Sequence, residues 1–435
     1  MPAQNDTWWH LREGELLWHR GAGPLRDYFS HTVYGGNWEN REWLSQVLFY
    51  GLYRTGGLPL LTGILACAVV AAWSFSWRLA PGRASWRAVL TAAAATAASP
   101  DWALRPQVLS FFFVGLTAFL ITRRRLLWLP PVFLVWANLH GGVVLGWLLL
   151  GVAVMLTVVG GRRRDAVQVT ATAVVSFLLT GLTPLGTTLW TGTLAAVQRM
   201  RAFDIAEFHS PRLTDVALLP FWIMTAALLV LIVAAKPWVP GSPARHFVVA
   251  GAAGLLPLAL VSSRSISAML LLAVPAVILL AESVVPAQAP TDRGERPTQN
   301  AIVLGLAVLS AAGVVMYGWA APALRLHWHP LPEGAAAAIE SCRPNLYNRF
   351  DEGGYIIWFA PAQRVFVDSR FDPYPADLLH EHVRVEASGD YTSLFQRFGI
   401  HCAFLPRESV LSQRLGGDGW KATYDRDGWV VLQKD

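Results

Sequence analysis

The chain has 435 residues, of which 54% are hydrophobic and only 15% charged, against about 25% charged in an average soluble domain. That deficit excludes an ordinary soluble protein and points to a polytopic membrane protein. The net charge of +6 is explained by arginines beside membrane spans, so it argues for no nucleic-acid partner.

The chain opens on a polar segment dense in acids and aromatics: Asn5-Asp6-Thr7-Trp8-Trp9-His10-Leu11, Pro24-Leu25-Arg26-Asp27-Tyr28-Phe29-Ser30, and Asn37-Trp38-Glu39-Asn40-Arg41-Glu42-Trp43-Leu44. No basic and apolar leader precedes it. Asp6 has two readings. It is a carboxylate able to take a proton or ligate a divalent metal, or it is the N-cap of a helix over Thr7–Trp18. Glu42 reads first as a helix cap or an arginine partner, and Asp27 as a turn residue.

Ten apolar segments follow, at 57–79, 86–100, 105–122, 126–139, 142–160, 166–183, 218–235, 246–262, 266–286 and 300–321. Several are shorter than the roughly 20 residues of a straight span. Basic residues follow each odd span: Arg78, Arg83 and Arg87; Arg123–Arg125; Arg162–Arg164; Lys236 and Arg245; Arg293 and Arg296. By the positive-inside rule those loops are cytoplasmic. The N-terminal segment, the intervening loops and everything after 322 are then extracytoplasmic. The outer loops carry Asp101 and Arg105, then Asn138 and His140. A long stretch follows, with a surface-lying amphipathic segment at 185–200 and then Glu207, His209, Arg212 and Asp215, and Arg264 comes last. His140 reads equally as a phosphate or proton ligand and as an interhelical hydrogen bond. Arg264 suits a lipid-linked phosphate, or it snorkels. The Gly-Gly pairs at 35–36, 56–57 and 141–142 read as turns.

Residues 330–435 switch to mixed helix and strand signals. Strands are expected at Asn345–Phe350, Arg364–Asp368 and His401–Leu405. A hairpin is expected at Trp420–Asp425 and Trp429–Gln433, and helices at Ala376–Ala387 and Tyr391–Phe398. The expected divisions are 1–56, 57–321 and 322–435. Cys67, Cys342 and Cys402 make no metal or redox spacing. Cys342 and Cys402 are either one disulfide or two buried thiols.

The runs Asp6–Leu11, Pro24–Ser30, Trp38–Gln46, Trp136–Gly142 and Arg364–Arg370 resemble the GT-C superfamily of integral membrane glycosyltransferases. Within it they resemble a group of bacterial membrane proteins described only as GT-C-like. The overall plan resembles the protein O-mannosyltransferase and aminoarabinose-transferase branch. The resemblance implies about ten spans with a C-terminal extracytoplasmic α/β domain, in a bacterial inner membrane. It also implies a helix before the first loop, so the chain is expected to start one helix late. It implies a polyprenyl-phosphate sugar donor, an extracytoplasmic acceptor and contact with membrane lipid, with a divalent metal as the one cofactor to consider. Asp6 and Asp101 match the family's catalytic acids. His10, Glu42, Arg105, His140, His209 and Arg264 are the candidate substrate-binding residues. Phe350-Asp351-Glu352-Gly353-Gly354-Tyr355 lacks the tryptophans of the oligosaccharyltransferase peptide-binding motif, so that role is not carried over. A non-catalytic lipid-sugar binder is the competing reading, and Asp6→Ala separates the two. A transporter is the third, although no internal repeat supports it.

Overall fold

The computed structural model describes residues 1, 3–21, 25–192, 206–235, 242–284 and 331–434, and the helical positions 302, 305, 309, 313 and 316. In chain order the helices are α1 (Asn5–Arg20), α2 (Trp43–Leu79), α3 (Ala84–Ala98), α4 (Gln107–Thr122), α5 (Leu129–Leu139), α6 (Val143–Val159), α7 (Arg163–Leu179), α8 (Leu219–Ala235), α9 (Pro243–Val261), α10 (Ile266–Val284), α11 (Ala335–Glu340), α12 (Gly353–Phe359), α13 (Ala376–Ser388), α14 (Thr392–Phe398) and α15 (Val410–Gly417). The strands are β1 (Leu346–Asn348), β2 (Cys402–Pro406), β3 (Lys421–Arg426) and β4 (Trp429–Gln433). The described residues of Met1–Leu58 and Ala323–Asp435 belong to one compact unit, and those of Pro59–Val197 and Asp204–Pro322 to a second.

The first unit joins the N-terminal segment to the C-terminal sheet. Its sheet runs β1-β2-β4-β3. β1 and β2 are parallel, while β2–β4 and β3–β4 are antiparallel. Asp427 (φ 50°) and Gly428 (φ 80°) turn the β3–β4 hairpin, which is the left-handed pair a two-residue hairpin turn needs. The expected strand Arg364–Asp368 is not one; only Val365 bridges, to Ser30. The Asn348 side chain takes the place of a ladder, accepting from the Phe366 amide and donating to the Val367 carbonyl, each at 2.8 Å. The run is apolar because it is buried, and buried backbone needs partners but not necessarily a strand.

Trp9, Phe29 and Trp38 share one core with Ile339, Leu346, Ile356, Val365, Phe404 and Val431. The opening tryptophans are therefore core residues of an α/β unit. Two glycines permit the close approaches. A Cβ on Gly14 would stand 2.1 Å from the Gln46 carbonyl oxygen, and one on Gly354 would stand 2.1 Å from that of Asn5. Cys342 and Cys402 form a disulfide with Cα atoms 5.8 Å apart. It ties the end of α11 to the start of β2.

α1 begins at Asn5, and its cap residue is Gln4, whose amide donates to Thr7 Oγ1 at 3.0 Å. Asp6 is thus inside the first turn and is not the N-cap. α2 breaks at Gly56 and Gly57, the latter at φ 65°, where the Gly-Gly pair reads as a turn.

The second unit is helical. α10 is its central element and packs on α3, α4, α8 and α9. These helices are apolar all round, as expected of buried or membrane-spanning helices. Exposed side chains such as Val159, Val167, Leu178, Val230 and Val233 form apolar surface that suits lipid rather than water. Among the described residues four stretches are long and apolar enough to cross a membrane: Trp43–Leu79, Val216–Ala235, Pro243–Val261 and Ser263–Val284. Gln107–Thr122, Leu126–Leu139 and Val143–Val159 are apolar but shorter. These stretches do not by themselves confirm the expected count of ten. The turns at Arg123–Arg125 and His140–Gly142 fall between the expected segments. The tenth segment, 300–321, lies mostly outside the described residues, as do Lys236, Arg293, Arg296 and the 193–200 half of the amphipathic stretch.

Candidate functional site

In the second unit three loops converge on Glu207. The 3-10 turn Ser99–Asp101 ends α3, the turn Ala206–Phe208 lies in the long loop, and Ser263–Ser265 joins α9 to α10. Backbone contacts hold the last two together. The Ser263 amide and hydroxyl both donate to the His209 carbonyl, at 2.9 and 3.1 Å. The Ser262 hydroxyl donates to the Glu207 carbonyl at 3.1 Å.

On that frame Arg105 Nη2 lies 2.5 Å from Glu207 Oε1, and Arg264 Nη1 lies 3.8 Å from Oε2. The Arg264 guanidinium also stands 5.3 Å from the centre of the Phe208 ring. Asp101 accepts a hydrogen bond from the Ser267 hydroxyl, in the first turn of α10. Burial pushes the Asp101 carboxyl up to about 6, with Glu207 adding to the rise. The Ser267 bond, Arg264 and Arg105 oppose it. Two guanidiniums thus share one carboxylate beside an acid poised near neutrality. Side-chain exposure of 35% at Glu207 and 28% at Arg264 leaves the cluster open to a ligand.

The structure therefore brings together Asp101, Arg105 and Arg264 of the expected site residues, with the His209 backbone bracing them. Glu207 is the hub that sequence reasoning left outside its choice, and Ser267 was missed. The available signals were Glu207 two residues before His209, and Ser267 three residues after Arg264.

His140 lies elsewhere in this unit, at the end of α5. Its Nδ1 accepts from the Gly142 amide at 2.9 Å and meets Ser110 Oγ at 2.7 Å; Ser110 Oγ in turn accepts from the Trp136 indole.

Asp6, His10 and Glu42 belong to the first unit. Asp6 accepts from the Trp9 indole at 3.2 Å and from the Ser369 hydroxyl. Ser369 also meets Asn5 Nδ2 at 2.9 Å. His10 Nε2 lies 3.5 Å from Glu42 Oε2, and its Nδ1 lies 3.4 Å from Gln46 Nε2. Arg41 pairs with Asp372 and Glu39, and Glu42 lies against His10.

Asp27 belongs to a buried cluster. Arg370 Nη2 stands 2.6 Å from both Asp27 and Asp368, and the Tyr374 hydroxyl donates to Asp368 at 2.6 Å. Among the described residues no group of three or more His, Cys, Asp or Glu side chains is placed to hold a metal ion. Glu207, the carboxylate nearest in influence to Asp101, is already held by two guanidiniums.

No protein-family model and no curated protein sequence matches this chain. Among solved structures it is similar to the oligosaccharyltransferase of Archaeoglobus fulgidus, crystallised with a tethered acceptor peptide containing the NVT sequon. The TM-score is 0.51 at 12% identity, covering 93% of this chain and 65% of that one. The chain thus spans just under two thirds of the length of the structure it matches. At this identity the likeness shows the fold alone. The molecule is a membrane protein, with helices long and apolar enough to span a bilayer and a fold similar to that of this oligosaccharyltransferase.

Proposed function

We propose that this protein transfers a sugar from a polyprenyl-phosphate donor to an extracytoplasmic acceptor. The observation that carries the reading is the Asp101–Arg105–Glu207–Arg264 cluster, set in a GT-C-like fold. Arg264 and Arg105 bind the donor phosphate, because a guanidinium presents paired donors to phosphate oxygens. Glu207 holds both guanidiniums in place. Asp101 takes the proton of the acceptor hydroxyl, and a carboxyl pushed up to about 6 matches a general base working near neutral pH. The acceptor oxygen bonds to the anomeric carbon as the carbon–oxygen bond to the phosphate breaks. The phosphate leaves with the electron pair, stabilised by the two arginines. Attack from the face opposite the phosphate inverts the anomeric centre.

In this reading Asp6 positions α1 through Ser369 and Trp9 and does not act as the base. The disulfide supports an extracytoplasmic first unit, since such bonds persist in oxidising compartments. The topology follows the arginine pattern, with an inner-membrane location.

The test uses full-length protein in vesicles with a panel of radiolabelled polyprenyl-phosphate sugars. Sugar released or transferred by the wild type, and lost in both Arg264→Ala and Asp101→Asn, is the expected result. No turnover of any donor, or full activity in Asp101→Asn, overturns it.

A further inference from the structure

The first unit holds a pocket of about 390 Å³ that the transfer chemistry does not use. Three arginines line it: Arg12 and Arg20 from α1, and Arg364 from the segment after α12. Arg12 is paired with Glu15. Among the described residues neither Arg20 nor Arg364 has an acidic partner within ion-pair distance; each lies against a tyrosine. The Arg364 guanidinium is 3.8 Å from the Tyr34 ring centre, and that of Arg20 is 5.0 Å from Tyr28. These contacts hold two exposed cations in place without neutralising them.

The wall adds fixed amides. Asn345 donates its Nδ2 to the Phe398 carbonyl at 3.0 Å, and Gln363 donates its Nε2 to the Cys342 carbonyl at 2.7 Å. Each amide is thereby oriented, and its oxygen is left to accept from a ligand hydroxyl. Unneutralised guanidiniums select an anion, and amide oxygens accept hydroxyls. The volume is in the range of small-ligand sites.

We infer that this pocket binds an anionic saccharide, a sugar ring carrying a carboxylate or a phosphate. The inference stands on the first unit alone.

Calorimetric titration of the full-length protein in zwitterionic nanodiscs tests it, with glucuronate, glucose 6-phosphate, glucose, inorganic phosphate and a short Glu/Asp peptide as probes. Saturable binding is expected for at least one of the two anionic sugars, at least about tenfold tighter than for glucose or phosphate. Arg20→Gln and Arg364→Gln should each weaken it about tenfold, and Arg125→Gln in the second unit should leave it unchanged. Both pocket arginines are exposed, so their variants should fold, and circular dichroism checks this. The inference fails if folded protein takes up neither anionic sugar by about 10 mM. It also fails if phosphate alone or the acidic peptide binds as tightly, or if the arginine variants bind like the wild type. The titration involves no turnover, so a protein that binds but transfers nothing supports the pocket and counts against the transfer reading.

Discussion

The two units use the same pair of residue types in opposite ways. In the first, Arg370 sits between Asp27 and Asp368, with no side-chain exposure on any of the three. Trp38 and Phe29 lie against its guanidinium, at 4.7 and 5.0 Å. In the second, Arg105 and Arg264 share Glu207, whose side chain is 35% exposed. An enclosed ion pair fixes a core, because removing one partner strands a buried charge. A more open one contributes little to stability and leaves Glu207 and Arg264 within reach of a ligand. The difference lies in burial and not in residue identity.

The comparison breaks most visibly at Arg370. Arg370→Ala strands two buried carboxylates and should cost about 3–5 kcal/mol, read as a large drop in melting temperature. A variant that melts like the wild type and loses only activity would abolish the contrast. Next is the disulfide, which closes a loop between positions 60 apart; its reduction should cost about 4 kcal/mol. That loss should appear in the first unit's unfolding and not in the helices of the second.

Asp101→Asn should lower transfer about 100-fold, equivalent to about 3 kcal/mol, with little change in melting. Wild-type activity should rise with pH through about 6 as the Asp101 base is deprotonated. An activity that falls with pH over that range would sink the assignment.

The smallest effect belongs to Glu13, buried on α1 near Arg370. Burial pushes its carboxyl up to about 7, against the pull of Arg370. A carboxyl raised on folding stabilises the fold fully below its unfolded value. That contribution is lost as pH rises towards about 7. The first unit should therefore lose on the order of 2 kcal/mol between pH 5 and 8, and Glu13→Gln should flatten the profile. Melting curves across that range decide it.

Much of the second unit was legible in the sequence. Apolar runs and the arginines beside them mark helices because the period and the charge are local properties. Asp101, Arg105 and Arg264 stood out as polar residues at the ends of apolar segments, where an unpaired charge facing lipid is costly. Glu207 did not, because its role comes from two arginines 102 and 57 positions away. The first unit was harder to read. Trp9 and Trp38 stand in a polar run dense in acids and aromatics, and only their packing in one core with Ile356 and Phe404 shows them as core. Arg364–Asp368 looked like a strand, and only the Asn348 side chain shows how its backbone is satisfied.

By itself, the sequence determined the membrane class, the Gly56–Gly57 break, the β3–β4 hairpin and the polar residues worth watching. Each depends on composition, on period, or on a turn that only certain residues can make. The tertiary structure alone decided that the N-terminal tryptophans belong to the C-terminal fold, that Cys342 meets Cys402, and that Glu207 gathers two arginines beside Asp101. Those outcomes depend on which distant segments touch, and no local pattern encodes that.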